Sequence, residues 1–328
     1  MKKIITFLLM VCFALPVMAH AEINGAGASF PFPVYSGWAY MYEKDTKNNV
    51  NYQSIGSGGG IKQITAGTVD FGATDDPLTK EDLKKSNLIQ FPAITGGIVI
   101  IVNIDGLKNQ KIVLDGKTAA DIFMGKITEW NHKAIADLNK NIKLPSAKIT
   151  VIRRSDSSGT TAVFTKYLSE SSNQWAKEIG SGKSVNWKTG IGAKGNDGVS
   201  NMVKKTKNSI GYTEYTYAKQ IQLNYTSLIN KSGNIVEASI ESFSKAAESA
   251  KWDSKNGYAV SLTNTDNNQA WPIAAASFIL IRKDNAEKNK AVMEFFKYGF
   301  NNGDNIAKQL MYVPIPKTLK DEIISTIK

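Results

Sequence analysis

The sequence predicts an α/β protein built from two domains. Short β-branched and apolar runs alternate with segments whose apolar residues recur at helical spacing, and this alternation is typical of α/β architectures. The chain has 328 residues, 42% apolar and 21% charged, which is the composition of a globular protein. At about 150 residues per domain, this length suggests two domains that can each bury a core. The composition excludes disordered, collagen-like and polytopic membrane proteins.

The predicted elements follow one another along the whole chain. Strands are predicted at 50–55, 91–92, 98–103, 149–152 and 278–281. Helices are predicted at 34–44, 61–66, 119–123, 161–169, 199–205 and 291–303. The sequence has no repeat of fixed period and no long proline-rich linker, so we expect interleaved domains, with the chain crossing between them.

The first 21 residues have the features of a cleavable signal peptide. Two lysines precede the apolar run 4–17, and Ala-His-Ala at 19–21 supplies the small-x-small pattern of a cleavage site. A transmembrane anchor is the competing interpretation, but the run is short and contains Pro16. We therefore predict export to the periplasm and a mature chain that begins at Glu22.

The mature composition narrows the chemistry. Cys12 is the only cysteine and lies in the apolar run, so the mature chain has no thiol for catalysis, disulfides or metal binding. His132 is the single histidine left after cleavage, which argues against histidine-based triads and metal sites. Without two signal lysines, 40 basic residues become 38 against 29 acidic ones, a net charge of +9. The lysines are scattered, so we expect a surface that attracts anions and no nucleic-acid partner.

Three loops share one design, in which glycine and a hydroxyl residue come directly before a predicted helix. These loops are 25–31 with Ser29, 56–60 with Ser57, and 153–161 with Ser158. The third also contains Arg153 and Arg154, two of the three arginines in the chain. Helix N-termini present unpaired N–H groups and a partial positive charge, so such loops can bind an oxyanion without a metal.

Each loop taken alone has a simpler explanation. Ser29, Ser57 and Ser158 would then be ordinary helix N-caps, and the glycines would be turn residues. Three loops of one design favour a shared anion site instead. No P-loop is present, because the Gly-Lys-Thr at 116–118 and the Gly-Lys-Ser at 182–184 lack the upstream glycine.

A match to the dinucleotide-binding fingerprint occurs at 190–195, Gly-Ile-Gly-Ala-Lys-Gly. The strand that should precede it is weak, and a lone match of this kind is common by chance. We interpret the segment as a structural turn and predict no cofactor.

An acidic turn at 70–77 contains Asp75 and Asp76. A buried carboxylate repels an oxyanion unless one of the two carries a proton, so Asp75 would accept a ligand O–H and reject a ligand without one. Such a residue would select hydrogen phosphate over sulfate. The alternative is that Asp75 or Asp76 caps the turn before Pro77, and the residues taken alone favour this alternative.

Four motifs together resemble a known family. GAGASFP at 25–31, GSGGG at 56–60, DFGATD at 70–75 and RSDSSGT at 154–160 match, in order and spacing, those of the periplasmic phosphate-binding protein of the phosphate-specific (Pst-type) ABC importer. The resemblance extends to GNDG at 195–198 and covers essentially the whole mature chain. It implies a type II periplasmic-binding-protein fold, with two α/β lobes and a ligand cleft and hinge between them.

The family's pattern implies that the first lobe supplies four ligands of one phosphate ion. Ser29 would donate from its hydroxyl and backbone, Phe30 from its backbone N–H, and Ser57 from its hydroxyl. Asp75 would accept the proton of the ligand. Threonine also occurs in the family at the position of Ser29, and either residue supplies the hydroxyl.

The same resemblance implies that the second lobe supplies the positive charge. Arg154 would pair with phosphate oxygens, while Ser158, Gly159 and Thr160 would donate from a helix N-terminus. Asp156 would orient Arg154. The resemblance implies no catalytic residue and no metal.

Domain limits follow from the resemblance as well. The signal peptide is 1–21, the first lobe is 22–102 with 272–328, and the second lobe is 103–271. The implied function is a monomeric, high-affinity extracytoplasmic receptor that delivers inorganic phosphate to a membrane permease and ATPase complex. Two alternatives stay open, a receptor for another tetrahedral oxyanion and a secreted phosphatase, for which the chain offers few bases.

Overall fold

The structure, a computed structural model, describes residues 22–107 and 110–327. The predicted signal peptide lies outside the described residues. The strands in chain order are β1 (Glu22–Gly27), β2 (Asn49–Ser54), β3 (Phe71–Thr74), β4 (Leu88–Asn103), β5 (Val113–Leu114), β6 (Thr150–Arg154), β7 (Ile191–Ala193), β8 (Ser209–Glu214), β9 (Asn224–Tyr225), β10 (Ser227–Ile229), β11 (Ile235–Val236), β12 (Ala274–Arg282) and β13 (Val313–Pro314).

Helices alternate with these strands, and a short 3₁₀ turn lies at Ser254–Asn256. The helices in chain order are α1 (Phe32–Thr46), α2 (Ser57–Ala66), α3 (Lys80–Lys85), α4 (Gly116–Phe123), α5 (Lys133–Leu138), α6 (Gly159–Ser171), α7 (Asn173–Glu178), α8 (Gly195–Lys205), α9 (Tyr215–Gln220), α10 (Ile240–Glu248), α11 (Ala286–Asn302), α12 (Asp304–Gln309) and α13 (Lys317–Thr326). Within 22–107 and 110–327, no helix has the length and apolar character needed to span a bilayer.

A mixed sheet organises the molecule. Among the described residues it has ten strands, in the order β2-β1-β3-β12-β4-β8-β6-β7, with β13 and β9 also paired to β4. β1 pairs in parallel with β2 and β3, and β6 pairs in parallel with β7 and β8. We call the part built on β1, β2, β3 and β12 the first lobe, and the part built on β6, β7 and β8 the second lobe.

Strand β4 joins the two lobes. Residues 88–97 of this strand pair with β12, and residues 98–103 pair with β8. The change of partner falls between Gly97 and Ile98, both buried. One continuous strand therefore carries the chain from the sheet of the first lobe into the sheet of the second.

The predicted α/β class is confirmed, and several predicted elements need correction. The predicted strands 91–92 and 98–103 are one strand, because β4 stays paired on both sides of a register shift at Ala93 and through the glycines at 96–97. Helix α2 begins at Ser57, so the predicted glycine loop 56–60 forms the first turn of the helix. Strands β1, β3 and β8 had no predicted counterpart.

Glycine lets α2 pack directly on the backbone of the first lobe's sheet. A Cβ atom at Gly60 would lie 2.5 Å from Gly27 Cα and 2.6 Å from the Ala26 carbonyl oxygen. Backbone atoms cannot move aside as a flexible side chain can. The close approach fixes the N-terminus of α2, with Ser57, at the carboxyl ends of β1 and β3.

We expect Gly60→Ala to lower the free energy of unfolding by about 1–3 kcal/mol, because the added methyl group overpacks a backbone contact. Urea denaturation of the mature protein measures the change. Gly198→Ala is the matched control, since its Cβ would meet Ala193 at an ordinary 3.7 Å. A helical alanine there should be neutral or stabilising, and equal losses in both variants would contradict the packing argument.

Candidate anion-binding site

The three predicted loops meet where the lobes face each other. Ser29 follows β1, Ser57 begins α2, and Ser158 precedes α6. The backbone N–H of Gly159 donates to Ser57 Oγ at 3.0 Å, which joins the second loop to the third across the lobes. The structure thus brings the predicted site residues of both lobes together, and they are almost completely buried: Ser29, Phe30, Ser57, Asp75, Arg154, Ser158 and Thr160.

Glycines in the second loop allow this approach between the lobes. A Cβ at Gly58 would lie 2.2 Å from Ser157 Oγ, and one at Gly56 would lie 2.5 Å from an Asp156 carboxylate oxygen. The Gly58 N–H instead donates to the Ser157 carbonyl at 3.0 Å. The glycine-rich sequence is therefore explained by contact with the opposite lobe as well as by the local turn.

The N-cap interpretation holds for one of the three serines. Ser158 Oγ accepts from the Thr161 N–H at 3.0 Å and caps α6. Ser57 lies inside the first turn of α2 and accepts instead from the opposite lobe. Ser29 makes no cap bond to α1, whose N-cap is Pro31. Two of the three hydroxyls are thus turned toward the cleft between the lobes.

Arg154 supplies a buried positive charge. Its Nε and Nη2 donate to Asp156 at 2.8 and 2.5 Å, and Asp156 also accepts from the Gly195 N–H at 3.1 Å. Burial alone would raise the pKa of Asp156, but the hydrogen bonds and charge of Arg154 outweigh it and lower that pKa. Asp156 therefore stays ionised and holds two of the three guanidinium nitrogens.

The third nitrogen of that guanidinium faces no protein acceptor. Arg154 Nη1 is buried and has no hydrogen-bond partner among the described residues. Leaving a buried charged donor unpaired is costly, typically by more than about 1–3 kcal/mol. Arg154 ends β6 shortly before the chain enters α6, and a buried, unpaired cationic donor near a helix N-terminus in sequence is suited to an anionic ligand.

Asp75 is the acidic member of the site and does not cap its own turn. Its Oδ1 accepts from Ser277 Oγ at 3.0 Å, and its Oδ2 accepts from Thr160 Oγ1 at 3.4 Å. The turn is held instead by Thr74, whose Oγ1 bonds the backbone of Asp76. The capping alternative for Asp75 is therefore wrong.

Burial raises the pKa of the Asp75 carboxyl to about 7, although the Ser277 bond, the Arg154 charge and the Thr160 bond each oppose the rise. Near neutral pH this carboxyl can exchange a proton with a ligand. Above pH 7 it is mainly an ionised acceptor, which is the form that a ligand O–H would satisfy.

Two tyrosines donate hydrogen bonds to backbone carbonyls of the first loop, at 25–31. Tyr217 of the second lobe donates to the Ser29 carbonyl, and Tyr312 of the first lobe donates to the Phe30 carbonyl, both at 2.6 Å. Their hydroxyls fix the backbone of the loop in position.

Besides these two tyrosines, the sequence did not predict two further polar residues that form hydrogen bonds with the predicted ligands. Ser277 bonds Asp75, and Asn196 bonds Ser29. The sequence contains an indication of both Ser277 and Asn196. Ser277 is the one hydroxyl in the otherwise apolar run 274–281, and Asn196 belongs to the GNDG motif.

Glu214 is a second buried carboxyl, located behind the site at the end of β8. It accepts from the Thr216 N–H at 3.0 Å and from Thr216 Oγ1 at 3.1 Å. Burial raises the pKa of Glu214 to about 8, although the bonds from Thr216 oppose the rise. The described residues contain no cluster of three or more histidine, cysteine or acidic side chains that could hold a metal ion.

Comparisons with known proteins give the family of the chain. A family model described as PBP superfamily domain matches residues 18–302. The phosphate-binding protein PstS of Haemophilus influenzae is 53% identical over 316 residues, covering 96% of this chain and 93% of that protein. The chain belongs to the PstS family. PstS of Pasteurella multocida is 51% identical over 324 residues, covering 98% and 94% of the two chains.

Solved structures agree with the PstS fold. The phosphate-binding protein of Stenotrophomonas maltophilia matches with a TM-score of 0.67 at 20% identity, covering 94% of each chain. At this identity the likeness concerns the fold alone. It agrees with the two-lobed periplasmic-binding-protein architecture.

We expect stability to fall at alkaline pH because of Glu214. A carboxyl whose pKa is raised in the folded state stabilises the fold fully below its unfolded pKa, and this contribution is lost as the pH rises through about 8. Between pH 6 and 9, the parent should lose roughly 2 kcal/mol more unfolding free energy than Glu214→Gln. Urea titrations at both pH values measure this difference, and identical losses would contradict it.

Proposed function

We propose that this PstS family member is a receptor that binds inorganic phosphate between its lobes and delivers it to a membrane ABC importer. The buried Arg154 Nη1, left without a protein acceptor among the described residues, is the observation that carries the proposal. The ligands that we propose are those of the family's pattern. They are Ser29, Phe30, Ser57 and Asp75 of the first lobe, and Arg154, Ser158, Gly159 and Thr160 of the second.

Selectivity for phosphate is assigned to Asp75. Hydrogen phosphate has an O–H to donate to this carboxylate, whereas sulfate offers only acceptors at neutral pH. A site built to satisfy a ligand O–H can reject an analogue without it by about 10⁴-fold. The same argument disfavours a receptor for sulfate-like oxyanions.

The proposal includes no catalysis. The relatives are named as binding proteins, and the Ser29 and Ser57 hydroxyls accept hydrogen bonds from N–H groups. A phosphatase would need a base beside its nucleophile. Permease and ATPase subunits are the proposed partners, and we propose that the receptor is a periplasmic monomer because one chain supplies the whole site.

We propose lobe limits of 22–102 with 272–328 for the first lobe and 103–271 for the second, after removal of 1–21. The change of strand partner after Gly97 and the bridge between Thr263 and Ile273 support crossings near these limits. A hinge at these two crossings would let the lobes separate and admit the ligand.

Calorimetric titration of the mature protein tests the function directly. The protein is unfolded and refolded to remove bound ligand, then titrated with phosphate and with sulfate at pH 8, where Asp75 is mainly ionised. We expect tight 1:1 binding of phosphate and no heat from sulfate. Refolded protein that binds neither anion would overturn the proposal.

Asp75→Asn should relax the discrimination between the two anions, because an amide can donate to sulfate where a carboxylate repels it. We expect the ratio of sulfate to phosphate Kd to fall at least about tenfold. Asp76→Asn is the matched control. That neighbouring carboxylate bonds Lys183 at 2.5 Å, and its loss should leave the ratio unchanged. An Asp75 variant that rejects sulfate as well as the parent would contradict this account.

A further inference from the structure

Asn196 links the hydroxyls of the two lobes. It is completely buried, as the second residue of α8. Its backbone N–H and its Nδ2 donate to Ser29 Oγ of the first lobe at 3.1 and 3.0 Å. The same Nδ2 lies 3.3 Å from Thr160 Oγ1 of its own lobe and donates to it. One side-chain amide thus contacts two of the proposed phosphate ligands.

The orientation of this amide is fixed from its other side. Its Oδ1 accepts from the Glu214 N–H at 3.2 Å and from Thr213 Oγ1 at 3.4 Å. An N–H group requires an acceptor, so the oxygen of the Asn196 amide must face Glu214. The nitrogen must therefore face Ser29 and Thr160.

This orientation determines what the hydroxyls can do. A serine hydroxyl has two lone pairs and one hydrogen. Both lone pairs of Ser29 Oγ are occupied by Asn196, so only its hydrogen is left for a ligand. Thr160 Oγ1 also accepts from Asn196. The Thr160 hydroxyl donates to Asp75 over a long 3.4 Å, so its hydrogen can turn to a ligand oxygen instead.

We propose that Asn196 is a positioning residue that makes the Ser29 and Thr160 hydroxyls obligate donors, which directs the ligand's proton to Asp75. The inference rests on the proposed phosphate site. Because Asn196 and Ser29 belong to different lobes, this orientation exists only when the lobes meet. The neutral amide of Asn196 therefore couples recognition of the anion to closure of the two lobes, and it adds no charge to the site.

A double-mutant cycle tests whether Asn196 acts through Ser29. Phosphate Kd is measured by calorimetry for the parent, Ser29→Ala, Asn196→Ala and the double variant. We expect Asn196→Ala to weaken binding at least about tenfold in the parent. In the Ser29→Ala background the loss should be clearly smaller than in the parent, because only the Thr160 hydroxyl is left for Asn196 to orient. Equal losses in both backgrounds would overturn the proposal.

Ser200→Ala separates orientation from packing of α8. Ser200 Oγ donates to the Asn196 carbonyl at 2.7 Å, and the Thr213 hydroxyl lies 3.0 Å from it. We expect its phosphate Kd to stay within about threefold of the parent. A loss as large as that of Asn196→Ala would assign the effect to helix packing and overturn the proposal.

Asn196→Asp keeps the test decisive if the alanine variant does not fold. It preserves the shape, the backbone donor and the Oδ1 acceptor, but it replaces the Nδ2 donor with an oxygen. Ser29 and Thr160 would then donate to this oxygen instead of the ligand, so we expect at least about a 100-fold loss of phosphate affinity. Affinity within threefold of the parent would overturn the inference.

Phosphate binding by the parent protein separates a failure of the proposed function from a failure of the role of Asn196. A parent that does not bind phosphate overturns the proposed function. A parent that binds phosphate, together with an additive cycle, overturns the role of Asn196 alone.

Discussion

A buried guanidinium bound on two of its three nitrogens is the interaction on which the site depends. Asp156 neutralises part of the Arg154 charge and leaves Nη1 without a protein partner among the described residues. Around this charge the chain places mainly neutral donors, namely hydroxyls and the backbone of α6. A doubly charged anion would then be held by one full charge and several dipoles. Burial strengthens each of these interactions, which explains why the site residues are so completely enclosed.

The site can be enclosed only where the backbones of the two lobes approach closely, and glycines make this approach possible. Gly56 and Gly58 of the first lobe contact the 156–157 segment of the second, while Gly60 lets α2 rest on β1. Burial also disfavours the ionised form of the carboxyl groups. Asp75 and Glu214 both have raised pKa values because the lobes exclude water from them. The same tight contact that strengthens the donors therefore also raises the pKa of an acid in the proposed site.

The sequence allowed prediction of the α/β class and of most site loops, because glycines and hydroxyls before helices are local patterns. It did not allow prediction of long-range pairing. Strand β4 was predicted as two pieces, since Pro92 and Gly96 usually weaken a strand and the neighbours that support it are distant in sequence. Asn196 and Ser277 were missed for a related reason. Their importance lies in which hydroxyl or carboxyl each one meets, and only the folded chain brings those groups together.

The position of β12 in the sheet has a consequence for the order of folding. This strand lies between β3 and β4 and pairs Phe278 with Thr74, about two hundred residues earlier in the chain. The first lobe therefore cannot complete its sheet until the last part of the chain is available. The β6–β8 region, by contrast, closes over much shorter separations. Because distant contacts slow folding, we expect the second lobe to form early and serve as the surface on which both ends of the chain assemble.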